Sequence, residues 1–383
     1  CMRIGWLSNG FWLALQAVFM NINTTNAVKE FKCLQSDCPD TCCKGWSMQL
    51  DDLTFEKYKE AGLENAVSYD GQVRVMKRDP KTDYCVKFEN GICNIHKEKG
   101  PEYLGDACNF YPRVTRNLGD ATLMTLTPSC PEALRLMLAK DGENYLQQEA
   151  ERLPSTLKDW LEDGITSEDA INIHNRFLAE CSSEVPAHKV MERIWSASSS
   201  LAYIDKKDWA GAVNFMFRMA DGKLPAPEVN AMNDYNILQI FLGILHATGK
   251  SRSQRLEEVL KAIEAYLNVK IDYTTLTITP LGSSNKNTNS FDDILKRYIS
   301  SQLSFATYPF AGIGNDVLQK SKVLSYKFCL TRLALRSWQG NAVDCIQPIS
   351  RIIDHIGDAD LILKLMSGFG WDSESKMAGI LEA

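Results

Sequence analysis

A mainly α chain, with a small loop-rich N-terminal region bearing metal-type cysteines and a few short strands ahead of an all-α body, is predicted from three observations. Eight of the 12 cysteines, Cys33, Cys38, Cys42, Cys43, Cys85, Cys93, Cys108 and Cys130, crowd into one stretch of 98 residues. That stretch is punctuated by Gly, Pro, Asp and Asn, the residues of turns. From Pro131 onward, apolar residues recur three and four apart, the period of an amphipathic helix. The chain has 383 residues, 45% of them hydrophobic and 23% charged, enough to bury a core and too apolar for disorder. Its 42 Lys and Arg stand against 48 Asp and Glu, a net charge of −6. That balance lacks the basic footprint of a nucleic-acid partner.

Residues 1–19 hold an apolar run, Phe11 to Phe19, behind a single Arg3. It is far shorter than the ~20 residues that span a bilayer, and no small-residue cleavage site follows, so membrane insertion is not expected. With Met20 as a second possible start, residues 1–19 read as an extension outside the fold. In the head, taken as 20–136, DDLTFEKYKEAG (51–62) has a helical pattern ending at Gly62. QVRVMKR (72–78) alternates like a strand, and ATLMTLTP (121–128) reads as another after Gly119-Asp120. Such a scaffold needs cross-links or metal for stability. In the body, 137–383 after a helix opening at Pro131, the segments STLKDWLEDG, SEDAINIHNRFLAECSS, NDYNILQIFLGILHATG, SQRLEEVLKAIEAYLN and KVLSYKFCLTRLALRSWQ have helical spacing. The polar run GSSNKNTNS (282–290) reads as a loop, with Asp292 and Asp293 opening the next helix.

The head's pattern is C-x4-C-x3-C-C, then Cys85-x7-Cys93-x2-His96, Cys108 and Cys130. Thiolate sulfur suits zinc and iron–sulfur clusters, and ligands on tight turns converge with little rearrangement. Adjacent residues on extended backbone point in opposite directions. Cys42 and Cys43 therefore serve two centres, or one is a ligand and the other a buried thiol. Eight thiols allow one four-cysteine cluster with four left over, two clusters or a polynuclear site, and spacing does not choose. A disulfide framework is the competing reading, set against by a helical body that needs no staples. Zinc is the alternative metal, although the C-x2-C pairs usual for structural zinc are missing. His96 is a ligand or a turn residue. His174, His188, His246 and His355 sit singly on or beside helical patterns and read as structural.

The runs FKCLQSDCPDTCCKGW, CVKFENGICNIH, CNFYPR (108–113) and SCPEALRLML from Ser129 together resemble the flagellin lysine N-methylase family, within a wider cysteine-cluster group of zinc- or iron-chelating proteins. The likeness is strong over residues 31–136 and only general over the body. It implies a cytoplasmic enzyme that transfers methyl from S-adenosylmethionine to lysines of flagellin or another lysine-bearing protein. It further implies an iron–sulfur cluster, of 4Fe-4S type, with ligands among Cys33, Cys38, Cys42, Cys43, Cys85, Cys93, Cys108 and Cys130. The chain departs from common methyltransferases, having neither a glycine-rich Rossmann unit nor a C-x3-C-x2-C loop. Methyl transfer needs a neutral amine, so a group must take the lysine's proton in a desolvated slot. Tyr111 and Glu102 are the catalytic candidates, with Tyr103 and Asp106 nearby; Arg113, with Arg116 beside it, is the candidate fork for a cofactor carboxylate. The competing function is a zinc- or iron-chelating binding protein without methyl transfer.

Overall fold

The computed structural model describes residues 20–46, 48–71, 73–150, 152–155, 157–219, 234–249, 253–282, 290–356, 359–371, 377 and 381. The expected extension at 1–19 and nearly all of the expected loop at 282–290 lie outside them. The described residues are mainly α-helical, with short strands concentrated in the N-terminal part and a helical body.

The head is organised by one four-stranded sheet in the order Arg113–Leu118, Ala121–Leu126, Met20–Thr25, Tyr145–Ala150. The first two strands form an antiparallel hairpin, with Gly119 in the left-handed region (φ 62°) at its turn. Met20–Thr25 then runs parallel to Ala121–Leu126 (Asn23 opposite Leu123) and antiparallel to Tyr145–Ala150. A strand beyond residue 136 thus completes the head's sheet. Two smaller hairpins serve the cysteines. Val67–Asp70 pairs with Val73–Met76, and Phe88–Glu89 pairs with Ile92–Cys93. The second turns on Asn90-Gly91, with φ of 51° and 80°, positive at both central residues as a two-residue hairpin requires.

The helix expected at 51–62 runs Asp52–Glu60. Asp51 caps it by accepting from the Thr54 N–H at 2.8 Å. The expected strands are Val73–Met76 and Ala121–Leu126. In the body the helices Ser167–Glu180, Asp234–Thr248, Gln254–Leu267 and Val317–Ser337 occupy the periodic segments, and a helix opens at Asp292. STLKDWLEDG is a correction: its described residues form no helix. The Asn117 carbonyl accepts from the Trp160 N–H at 2.9 Å, and the Asp159 carboxylate accepts from Gly119 and Leu161 N–H at 3.0 and 2.9 Å. The segment spends its backbone bonds on the sheet edge, and tertiary pairing overrides its period. The body also carries one hairpin, Val269–Asp272 with Thr277–Pro280.

The main core lies in the body, where Trp195, Phe241, Tyr326 and Phe328 are out of solvent. Two small cores lie in the head. One gathers Ile22, Phe31, Leu126, Cys130 and Met137; the other gathers Leu50, Tyr58, Met76, Ile95 and Leu104, with Cys85, Cys93 and Cys108 packed against it. Among the described residues, no helix is long and apolar enough to cross a membrane.

Candidate metal and substrate site

The eight head thiols fall into two neighbourhoods, each on its own small core. The first is built by backbone pairing. The Cys85 N–H donates to the Cys43 carbonyl at 2.7 Å, and Lys44 bridges Tyr84. Phe88 N–H donates to the Cys85 carbonyl at 2.9 Å while Phe88 pairs with Cys93. Cys108 arrives on the short helix Asp106–Phe110, which Asp51 ties to the helix Asp52–Glu60 by accepting from the Asp106 N–H at 2.9 Å. Burial raises the Cys108 and Cys93 thiols and pushes Cys85 up to about 11, and the charges of Cys43, Cys85, Cys93 and Cys108 bear on one another. The phenol of Tyr58 is raised by burial and then by Cys108, Cys93 and Cys85 together.

The second neighbourhood holds Cys33, Cys38, Cys42 and Cys130. Burial pushes Cys130 up to about 12, with Cys38 and Cys33 adding to it, and burial raises Cys38, with Cys33 adding. Tyr111, half-buried, packs against the core that holds Cys130, and the charges of Cys130 and Cys42 both bear on its phenol. Trp46 stands edge-on to Tyr111 at 5.3 Å and donates its indole N–H to the Cys42 carbonyl at 2.6 Å. The two neighbourhoods touch at the vicinal pair, where a hydrogen bond between the Cys42 and Cys43 thiols is the largest influence raising Cys43.

The body closes this site through one helix, Ala342–Ile353. Gln347 and Arg351 are four residues apart, hence on one face. Arg351 pairs with Asp40 at 2.5 Å and donates to the carbonyls of Asp40 at 3.1 Å, Thr41 at 2.9 Å and Lys44, with its guanidinium 4.6 Å from the Trp46 ring centre. Gln347 donates to Asp40 Oδ2 at 2.9 Å and to the Ser129 carbonyl at 2.8 Å, joining the Cys38–Cys43 loop to Cys130. His355 Nε2 lies 2.7 Å from Ser129 Oγ, and its ring stands edge-on to Trp46 at 4.6 Å. Arg351's positive charge favours the thiolates of Cys38 and Cys43.

Of the residues singled out from sequence, Tyr111 and Arg113 lie with the second neighbourhood. Tyr111 Oη is 3.2 Å from Ser129 Oγ, and burial holds its phenol well above the usual range. Arg113 stacks over Phe31 at 5.1 Å; burial lowers its pKa, against which Cys33 acts. Arg116 lies apart, half-buried, donating to the Phe305 carbonyl. Glu102 is exposed on the turn Pro101–Tyr103, its carbonyl receiving Lys57 Nζ at 2.9 Å. Asp106 pairs with Arg152 at 2.8 Å, and His96 is exposed on the helix Asn94–Lys99. Arg351, Gln347 and Asp40 were not foreseen, and His355, which read as structural, stands at this site. Their one sequence signal is the polar pair Gln347/Arg351 within the apolar run AVDCIQPISRII.

The donor set fits a thiolate-held metal or cluster: eight sulfurs in two groups, a guanidinium beside them and no pairing among the eleven described cysteines. Among the described residues, no three Cys, His, Asp or Glu side chains stand close enough together to hold one ion. The thiols are grouped without converging on a point. Burial keeps most of them protonated, so ligation must displace their protons.

Three curated proteins are similar to this chain. It is 28% identical over 125 residues to the flagellar biosynthetic protein FliU of Salmonella muenchen, covering 29% of this chain and 73% of the relative. It is 26% identical over 125 residues to the lysine-N-methylases of Salmonella choleraesuis (strain SC-B67) and Salmonella typhimurium (strain LT2), covering 29% of this chain and 31% of each. The chain thus spans under a third of the proteins that carry the lysine-N-methylase name. No family model and no solved structure matches it.

Proposed function

We propose, from the premise that this chain is related to the flagellin lysine N-methylases, that it is a protein-lysine N-methyltransferase acting on flagellin or another lysine-bearing protein in the cytoplasm. In this reading S-adenosylmethionine is the methyl donor, and the head cysteines hold an iron–sulfur cluster, with zinc as the alternative metal. The observation that carries the metal part is the gathering of eight thiols in the head, one group beside Tyr111, Trp46 and Arg351 and the other on the small core of Tyr58, with the first group buttressed from the body.

In the transfer, the neutral amine nitrogen of lysine, its own proton already lost to water, forms a bond to the methyl carbon as the sulfonium's S–C bond breaks and its electron pair stays on the departing thioether sulfur, and the methylated nitrogen gives up a proton to water to reach the neutral product. An iron with an open position would supply a site for the amino and carboxyl groups of the methionine part. This chain's residues prepare the surroundings. Tyr111 stays protonated in its buried setting, so it acts as a hydrogen-bond donor rather than as the base that takes the lysine's proton. Arg113 offers a fork for a carboxylate, and Trp46 with Phe31 excludes water. Glu102, exposed on its turn, is accessible to a docking protein rather than enclosed with Tyr111.

The test is anaerobic purification followed by iron, zinc and acid-labile sulfide analysis and calorimetric titration with S-adenosylmethionine. Equal iron and sulfide with stoichiometric cofactor binding supports the reading. Metal-loaded protein indifferent to the cofactor favours the zinc- or iron-chelating binding protein instead.

A further inference from the structure

We propose that the pocket between the helices Asp292–Ala306 and Val317–Ser337 binds a small aliphatic carboxylate whose charge pairs with the ammonium of Lys320. Such binding needs neither the head thiols nor methyl transfer.

Lys320 and Lys327 stand seven residues apart on the helix Val317–Ser337, hence on one face, and both line the pocket. Lys327, 6% exposed, has its counter-ion: it pairs with Asp354 at 2.5 Å and donates to Gln302 Oε1 at 3.0 Å. Lys320, 7% exposed, has none among the described residues. Its Nζ donates to the carbonyls of Pro309 at 3.0 Å and Phe310 at 2.8 Å, which leaves one of the three ammonium N–H groups without an acceptor. The carboxylates whose charge reaches Lys320 are engaged elsewhere. Glu162 pairs with Lys206, and Asp316 accepts from the Gln319 N–H at 2.7 Å. Lysine is almost never buried without a partner, because a lone charge is costly out of water. Burial accordingly lowers the Lys320 ammonium to about 8, which still leaves it mostly charged at neutral pH. A cation held in this way gains strongly from an anion that reaches it, through a charge-assisted hydrogen bond.

The pocket limits which anion that is. Its volume is about 30 Å³, and one water takes about 10–15 Å³ on this measure, so a ligand of a few heavy atoms fits. Its other walls are mostly carbon, from Phe305, Ala306, Ala311, Ile313, Val323 and Leu324. They suit a chain of two or three carbons and offer a phosphate few partners in exchange for its water. The charges of Lys206 and Lys158 also bear on Lys320, adding positive potential that favours an approaching anion.

The test is saturation-transfer NMR of propionate titrated into the full chain, with acetate and inorganic phosphate as competitors at equal ionic strength. The proposal predicts transfer to the propionate methyl, displacement by acetate and none by phosphate. K320M, which removes the charge, and A306L, which fills the pocket and leaves Lys320 in place, should each weaken binding at least about tenfold, with circular dichroism to verify folding. If K320M fails to fold, A306L carries the comparison. No transfer in wild type, unchanged binding in either folded variant, or displacement by phosphate as readily as by acetate overturns the proposal.

Discussion

Replacing Arg351 by glutamine strikes the point where the body holds the cysteine loop. The side chains of Arg351 and Asp40 are only 11% and 10% exposed, and the guanidinium serves three carbonyls as well as the carboxylate. Removing one partner of a buried ion pair costs about 3–5 kcal/mol, because the other charge is left uncompensated. That cost falls on the segment carrying Cys38, Cys42 and Cys43. At about 1.4 kcal/mol per tenfold, metal affinity falls by up to about two to three orders of magnitude. R351K keeps the charge and loses the planar fork, so its affinity should lie between the two. The assay is anaerobic competition of Co2+ between the protein and a chromogenic chelator, alongside amide exchange of residues 38–46. R351Q protein with wild-type metal affinity and unchanged exchange would refute the claim that the body organises the site.

Other outcomes follow from the same contacts. Y111F loses the bond to Ser129, about 1 kcal/mol of stability, and leaves iron content unchanged, while methyl transfer falls roughly tenfold; unaltered transfer removes Tyr111 from the site. D51A loses the cap of Asp52–Glu60 and the tie to Asp106 and should unfold with about 1–2 kcal/mol less stability in urea. Burial alone would raise the Asp51 carboxyl, but the N–H groups of Asp106 and Thr54 outweigh it and hold its pKa down. Its contribution is therefore present above about pH 4 and lost as pH falls through the folded value. Glu143 runs the opposite way. Its carboxylate oxygens are out of solvent, and burial pushes its pKa up to about 8. The folded state thus keeps a proton that the unfolded state releases near pH 4.5, and stability is lost as pH rises toward 8. The effect is on the order of a few kcal/mol, and E143Q should flatten the decline between pH 5 and 9 in chemical denaturation. Buried His174, lowered to about 4 by burial, opposes it on the acid side, where stability falls as pH drops below about 6.5.

The cysteine head was legible because its signal is chemical and local. Thiol spacing marks the ligand candidates, whereas the hairpin at Asn90-Gly91 that pairs Phe88 with Cys93 was not read, its two-residue strands being too short to show alternation. The body helices were legible from their period. The four-stranded sheet was not. Its inner strand MNINTT buries Thr24 and Thr25 beside Ile22, so no clean apolar alternation shows. STLKDWLEDG misled for a related reason, since its Asp and Trp serve the sheet edge rather than a helix face. Arg351 and Gln347 lie more than 300 residues from Asp40, and nothing local in the chain announces that distant contact.

The central claim, that this chain methylates lysine with a metal-bearing head, is tested most directly by mass spectrometry of flagellin incubated with the iron-loaded protein and isotopically labelled S-adenosylmethionine. The account predicts labelled methyl on lysine ε-nitrogens, absent when the protein is stripped of metal. Loaded, folded protein that binds the cofactor and leaves every lysine unlabelled, on flagellin and on other protein substrates alike, would contradict it.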